Sequence, residues 1–456
     1  MQLHELLNQY ARHPQVAALS QWSRSASPSA RMQIDGLQAS APAVVFAALA
    51  LRLKQSQRPM LFLMQDEESA GYFYHDLTQL LGDEQVLFYP SAYRRAVKYA
   101  QRDAANEILR TEVLGRLSAW RQDAAAAHDK ALLVVSCAAA LAQRVAPPKS
   151  FSDSTITLRV GESYDLGGLS RQLKELGFSR KDYVYEPGEF AVRGSILDVF
   201  SYASEYPLRI DFFGDEVDTI RLFEVQTQLS RERKQEARIV PDTEVSAHEG
   251  GLVSFTDYLP SDTLLVSPDL SLVADTVDRI YAEGFARQAA LAGEARSEME
   301  AAEQRERLNR DLQLITAETF LRGISPLTRI GFGAQQPSGH VGTALHFDTS
   351  SQPLYHKNFD MLETALAQFR ADGYALYILA DSPKQNERLR SIFEETGKGT
   401  VFEPVEHTLH EGFIDHTLRM CWLTDHQIFD RFHKYNLKSD HARDAKMALS
   451  LKELMQ

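Results

Sequence analysis

Three short apolar runs, MLFLM at 60–64, VLFY after Gln85 and LLVVS at 132–136, decide most of what the first third of this chain can become. Each has the length of a strand and none alternates with polar residues. Helical stretches such as NEILRTEVLGRLSAW separate them. A strand apolar on both faces has to be covered on both, so these runs predict a buried parallel sheet with helices packed around it. At 456 residues the chain is too long for one core. A prior of about 150 residues per domain suggests three or so.

After Pro147 and Pro148 and the polar run KSFSDST, the hydrophobic period changes from helical to alternating. EFAV, SILDVF, PLRIDFF and EVDTIRLF follow at close spacing, and Gly214-Asp215-Glu216 predicts a hairpin between the last two. In LRIDFF, period two sends Leu208, Ile210 and Phe212 to a core face and leaves Arg209 and Asp211 together on the other. The same count sets Thr219 and Arg221 opposite Ile220 and Leu222. From Phe178 to Arg231 there are six Lys or Arg against ten Asp or Glu, a local balance of 6 − 10 = −4, the reverse of a nucleic-acid reader. Mixed arginine and carboxylate on a rigid sheet suits a protein partner, and a solvated face is the alternative.

From about 245 to 325 the pattern is mixed again. EARSEMEAAEQRERLNRDLQL, with Glu303/Arg307 and Glu306/Arg310 at i,i+4 spacing, predicts one long solvated helix. After Pro326 a second α/β unit begins: ALHF, NFDMLETALAQFR, ALYILA, KQNERLRSIFEE, TVFEP and LRMCWLT.

Residues 31–55, RMQIDGLQASAPAVVFAALALRLKQ, have the outline of a nucleotide-binding loop. Laid on G-x-x-x-x-G-K-[ST], only Gly36 agrees: Ala41 replaces the second glycine, Pro42 the lysine and Ala43 the metal-binding hydroxyl. Pro42 offers an anion neither an N–H nor a charge, and Ala43 cannot reach a metal. At roughly 1.5 to 3 kcal/mol per charge-assisted bond, the two lost contacts cost about 3 to 6 kcal/mol. A decayed nucleotide loop and an ordinary strand-loop-helix both fit, and neither predicts ATP binding. LLVVSCAAALA also lacks the acidic residue with which a working ATPase holds magnesium.

Other chemistry is sparse. HTLHEGFIDH gathers His407, His410, Glu411, Asp415 and His416, but in no standard zinc spacing. Asp425-His426 has no G-x-S-x-G elbow to serve, and a helix start capped by Thr424 or Asp425 explains it. No Gly-rich dinucleotide fingerprint occurs, so no catalysis, metal or cofactor is expected. The net charge of −13 argues against a surface built mainly for phosphates. Cys137 and Cys421, the two cysteines, each lie in apolar runs, which predicts buried thiols and a reducing cytoplasm. No segment has the pattern of a signal or membrane span.

YEPGEFAVRGSILDVFSYASEYPLRIDFFGDEVDTIRLFEVQTQLS, residues 185–230, strongly resembles the inserted domain shared by bacterial transcription-repair coupling factors and the excision-repair protein UvrB. GEFAVRGSILDVF, RIDFFGDEVDTIRLF and TDHQIFDRFHKY look most like the N-terminal half of the coupling factors. The resemblance implies a multidomain α/β chain: a degenerate P-loop, helicase-like α/β domain over 1–150, and an inserted mainly-β (α+β) UvrA-binding domain over 151–245. The remainder of the first domain follows over 246–325, and a separate small α/β domain over 326–456. It implies a non-catalytic module that docks UvrA, with contacts carried by position onto Arg180, Arg193, Phe200, Arg209 and Asp211. Phe200 reads equally as an apolar anchor or as core, and Arg193 as a contact or as support for the turn at Gly194. UvrB has an arginine where this chain has Ala191, so the two surfaces differ. The region matching UvrB's damage-probing hairpin, FYPSAYRRAVKYAQRD, is short and poor in tyrosine. RNA polymerase and duplex DNA are expected to bind only through family segments that follow this one, and a further C-terminal domain is expected to cover the UvrA face at rest. The competing expectation is a UvrB-like DNA-dependent ATPase.

Overall fold

In the computed structural model, which describes residues 1–53, 58–92, 104–122, 132–204, 206–241, 251–283, 314–333, 343–395 and 401–431, the apolar runs are the strands Met60–Met64, Val86–Tyr89 and Leu133–Cys137, buried along their whole length. They belong to a seven-stranded sheet ordered Thr343–His346, Arg31–Asp35, Thr328–Phe332, Leu264–Ser267, Met60–Met64, Leu133–Cys137, Val86–Tyr89. All neighbours run parallel. Parallel strands cannot be joined by tight hairpins, so crossing helices cover the sheet. The Ala41–Leu53 helix is one of them, and all of it but Leu51 and Arg52 is buried. A helix apolar on every side belongs inside a core, and its alanines let it lie close to the strands. The Glu67–Leu81 helix begins at Asp66, whose carboxylate accepts the Ser69 N–H at 2.8 Å, and stops at Gly82 with φ 81°.

Three of the seven strands come from beyond residue 245, so the first unit resumes after the alternating segment. The boundary expected at 326 is corrected, because Thr328–Phe332 and Thr343–His346 complete the first sheet, and the last unit's own strands begin at Thr349. Their partner is Arg31–Asp35, some three hundred residues earlier, which local pattern cannot reveal.

The alternating segment forms its own six-stranded sheet, ordered Ser230–Lys234, Glu216–Phe223, Leu208–Phe213, Ile196–Val199, Glu189–Arg193, Ser179–Arg180. Its pairs are antiparallel except the last. The hairpin expected at Gly214-Asp215-Glu216 is present, with Phe213 opposite Glu216. The amphipathic Leu166–Glu175 helix and the ribbon Ile156–Arg159/Glu236–Ile239 close a core containing Leu173, Phe178, Phe190, Leu197 and Ile210.

The last unit is a five-stranded mixed sheet, ordered Thr349–Ser351, Phe413–Asp415, Met420–Thr424, Ala375–Ala380, Glu403–Glu406. Its two faces have different neighbours. Ile378, Cys421 and Leu423 pack with Leu362, Leu389 and Phe393 in a local core. Tyr377, Leu379, Phe413 and Trp422 point the other way and join the core of the first unit. The unit is therefore fused to its neighbour, and Trp422 and Phe413 meet Tyr10 edge-on at 5.7 and 6.3 Å between ring centroids. Cys137 and Cys421 are buried thiols outside any disulfide, and burial pushes Cys421 up to about 12. No helix among the described residues is long and apolar enough to cross a membrane. The long charged helix lies outside the described residues apart from Leu314, as does the stretch 93–103 of FYPSAYRRAVKYAQRD.

At the seam, the Tyr10 hydroxyl donates to Asp415 Oδ2 at 2.8 Å, and His13 Nε2 faces the same oxygen at 3.5 Å. His13 Nδ1 accepts the Gln15 N–H at 3.0 Å and caps the Pro14–Ser25 helix, so the neutral ring carries its proton on Nε2. A second proton would turn that cap into a donor facing a donor. Burial lowers the His13 pKa against the opposing pull of Asp415. The unfolded chain, with its His near the ordinary value of about 6.5, then takes up the proton first, so stability is lost as pH falls through that value and regained above it. Melting temperature should therefore fall between about pH 7.5 and about pH 5.5, and His13→Asn, which can cap but cannot titrate, should flatten that slope. An unaltered slope in the variant would assign the pH dependence elsewhere.

Candidate functional site

Two places attract the residues singled out in the sequence: the loop at 36–43 and the outer face of the six-stranded sheet. At the loop, the Arg31–Asp35 strand ends in Gly36 at φ 77°, and the buried helix begins at Ala41. A Cβ at Gly36 would lie 1.7 Å from the Phe347 carbonyl oxygen, because a segment of the last unit crosses directly over it. Thr349 Oγ1 donates to the Gly36 carbonyl at 2.7 Å and accepts from Gln38 N at 3.0 Å. On the other side, Ser40 Oγ donates to Asp76 Oδ2 at 2.5 Å and accepts from Glu411 N at 2.9 Å. Asp76 Oδ1 receives the His410 N–H at 2.6 Å, and the His410 ring stacks on Tyr72 at 3.6 Å. The Gly36 carbonyl, the Gln38 N–H and the Ser40 hydroxyl are thus engaged by the chain's own Thr349, Asp76 and Glu411. Ala41, Pro42 and Ala43 are all buried in the helix start.

That arrangement also accounts for the histidine-rich segment. Asp415 serves the Tyr10 contact and accepts from Leu418 N. His416 lies between Ser350 Oγ at 2.9 Å and Tyr374 Oη at 2.8 Å. Among the described residues, no three His, Cys, Asp or Glu are grouped as metal ligands. Thr424 stands at the cap position of the Asp425–Ile428 helix without a side-chain cap bond, and its Oγ1 donates to Gln427. His426 Nε2 meets the His410 carbonyl at 2.8 Å, a further tie between segments.

On the outer sheet face, strand alternation is as the sequence implies: Leu208, Ile210 and Phe212 are buried, while Arg209 and Asp211 lie on the opposite side. Their side chains are less open than period two suggested, 15% and 20% exposed, and each is tied to a different partner. Arg209 forms a two-pronged pair with Asp198, Nε to Oδ1 at 2.7 Å and Nη2 to Oδ2 at 2.9 Å, and donates through Nη1 to the Gln228 carbonyl at 3.2 Å. Its guanidinium also covers the Phe223 ring at 4.3 Å. The Asp198 hydrogen bond raises the Arg209 pKa despite partial burial, so the guanidinium stays charged. Asp211 Oδ2 accepts from Thr219 Oγ1 at 3.0 Å and from Arg221. Arg193 pairs with Asp198 from the other side, and its guanidinium lies 4.8 Å from the Tyr183 ring centroid. Arg193 is thus a neighbour of Arg209 through a shared carboxylate, and Arg180 is exposed on the sheet's edge strand. Phe200 is 2% exposed and packs with Val184, Ala191, Phe223 and Val225, which makes it core beneath the face.

Asp198 is the residue the sequence did not single out. Its side chain is 1% exposed, and it lies opposite both Ala191 and Arg209 across the strands. A carboxylate inside the apolar run SILDVF was the available signal, but its partners depend on strand register.

Residues 156–245 match the family described as the UvrB interaction domain, the first matched residue coinciding with the start of the Ile156–Arg159 strand. The chain is 32% identical over 212 residues to the transcription-repair-coupling factor of Bacillus subtilis, covering 46% of this chain and 17% of that protein. With the coupling factor of Myxococcus xanthus it shares 31% over 221 residues, 47% of this chain and 18% of that protein. With that of Escherichia coli K12 it shares 34% over 115 residues, 25% and 10%. The matched stretches span less than a fifth of the length of these relatives.

Asp198→Ala leaves two guanidiniums facing each other. It should destabilise this domain by about 3 kcal/mol, the low end for breaking a buried ion pair because both arginines reach water. Hydrogen exchange in Ile196–Val199 and Leu208–Phe213 is the fitting probe, since Trp22, Trp120 and Trp422 all lie outside the domain. Unchanged protection there would deny Asp198 its structural weight.

Proposed function

We propose that this chain is a non-catalytic docking module that binds UvrA and so brings excision repair to transcription. The observation that carries the reading is the Asp198-centred arginine face on a domain that matches the UvrB interaction domain. Arg193 and Arg209 are held by one buried carboxylate on adjacent parts of a rigid sheet, so they meet a partner without losing the rotamer freedom that long side chains usually lose on binding. Similarity to coupling factors supports the cellular context, and two buried cysteines outside any disulfide fit a cytoplasmic protein. Contacts assigned to this function are Arg180, Arg193, Arg209 and Asp211, with Phe200 supporting the face from below.

The same reading assigns no nucleotide chemistry to the first unit, so that the loop at 36–43 is a degenerate P-loop. Ala41, Pro42 and Ala43 offer neither charge nor hydroxyl, and Phe347, Thr349 and Glu411 occupy the approach to Gly36 and Ser40. A UvrB-like ATPase would need that approach open.

Titration of UvrA with this chain should give saturable binding that weakens with salt. The double charge reversal Arg180→Glu, Arg193→Glu should weaken it at least about tenfold at low salt, in keeping with the effect of rim charges. Equal affinity for the double variant would remove these arginines from the site. Calorimetry with ATP and magnesium should show no saturable heat; micromolar binding would instead support the ATPase reading.

A further inference from the structure

The arginine face carries an asymmetry between its charged centre and its apolar margin. Arg209 already spends Nε, Nη1 and Nη2 on Asp198 and Gln228, and Asp211 Oδ2 is shared by Thr219 and Arg221. Charges paired this way gain little from another partner, and covering them removes their remaining water. They orient a complex better than they drive it.

Phe213 has no such satisfaction. It is 84% exposed, the most open large hydrophobic side chain among the described residues. Burial keeps alternating through Leu208–Phe213 although the pairing register with Glu216–Phe223 shifts between Asp211 and Phe212, so Phe213 stands on the side of Arg209 and Asp211, roughly 7 Å beyond Asp211 at the usual strand rise. Phe212 beside it is buried at 5%, which pins the strand and fixes the direction of Phe213. Gly214, at φ 67°, takes the first position of the two-residue turn, so the ring sits at the end of a tight hairpin. A single exposed aromatic is ordinary on a protein surface. Here two further exposed apolar side chains lie beside the arginines: Tyr183, 50% exposed, under Arg193, and Leu229, 68% exposed, next to the Gln228 carbonyl that holds Arg209.

The partner's character follows from strand register. Asp198, Arg209, Arg221 and Arg233 form one row across four adjacent strands. Three arginines against one aspartate make that row cationic, although the segment as a whole carries more acid than base. Arg233 is exposed and has no ion pair among the described residues. A surface complementary to this one has carboxylates facing that row and, roughly 14 Å along the strands, an apolar pocket for Phe213, whose own cross-strand neighbour is Glu216.

We propose that Phe213 is the principal anchor of the docking face, inserting into an apolar pocket of UvrA, with Arg209 and Asp211 acting as orienting groups and the arginine row facing carboxylates of UvrA beside that pocket. This rests on the docking function proposed above and assigns its driving force to a residue outside the Arg180, Arg193, Arg209 and Asp211 set.

The test is titration of UvrA with wild-type chain, Phe213→Ala and Phe213→Leu, each at low and high salt. Because the side chain is in water, both variants should keep the wild-type melting temperature. Phe213→Ala should weaken binding by about thirtyfold or more, the scale of an interface hot spot, and by the same factor at both salt concentrations. Phe213→Leu should recover most of the affinity. Wild-type binding with Phe213→Ala within about threefold of it, below the hot-spot scale, overturns this inference and leaves the docking function standing. No binding by the wild-type chain overturns both.

Discussion

A carboxylate removed from water has to be surrounded by donors, and Asp198 meets that requirement with two arginines from different strands. The outer face of the six-stranded sheet is organised by this need. Arg193 and Arg209 converge because Asp198 lies between them, and Arg209 in turn shields Phe223 and holds the turn at Gln228. Asp211 and Arg221 repeat the arrangement closer to the water. The result is a face whose charged groups are set in place by one another before any partner arrives. That is preorganisation in its physical sense, because the ordering entropy is lost on folding and need not be lost again on binding.

The loop at 36–43 uses a comparable economy at another site. Backbone groups at the start of a helix have to find acceptors or donors, and in a nucleotide-binding fold a phosphate fills that role. Here Thr349 accepts the Gln38 N–H and donates to the Gly36 carbonyl, while Asp76 and Glu411 N engage the Ser40 hydroxyl. The last unit thus closes over the loop with polar contacts of its own, beside the apolar packing of Phe413 and Trp422.

What could be read in the sequence was set by period. Runs such as MLFLM and LLVVS identified the buried parallel sheet because no polar residue interrupts them, and LRIDFF gave its two faces correctly because alternation is local. Period does not report depth. Arg209 and Asp211 were placed on the correct side, yet how far neighbouring strands cover them depends on Asp198 and Arg221, which reach them only through register. Phe200 shows the same limit, since it shares a side with Asp198 but is roofed by Val184 and Val225 from two loops. The boundary at 326 failed because the strands beyond it pair with Arg31–Asp35, and nothing near Pro326 encodes that partner.

The clasp at Tyr10 joins residues 405 positions apart. A chain emerging at about 5 to 20 residues per second leaves that hydroxyl waiting on the order of 20 to 80 s for Asp415. The Leu3–Tyr10 helix is thus made long before the strand that completes its surroundings. Through that interval the seam stays open, and the apolar side of the helix waits for Phe413 and Trp422 to cover it.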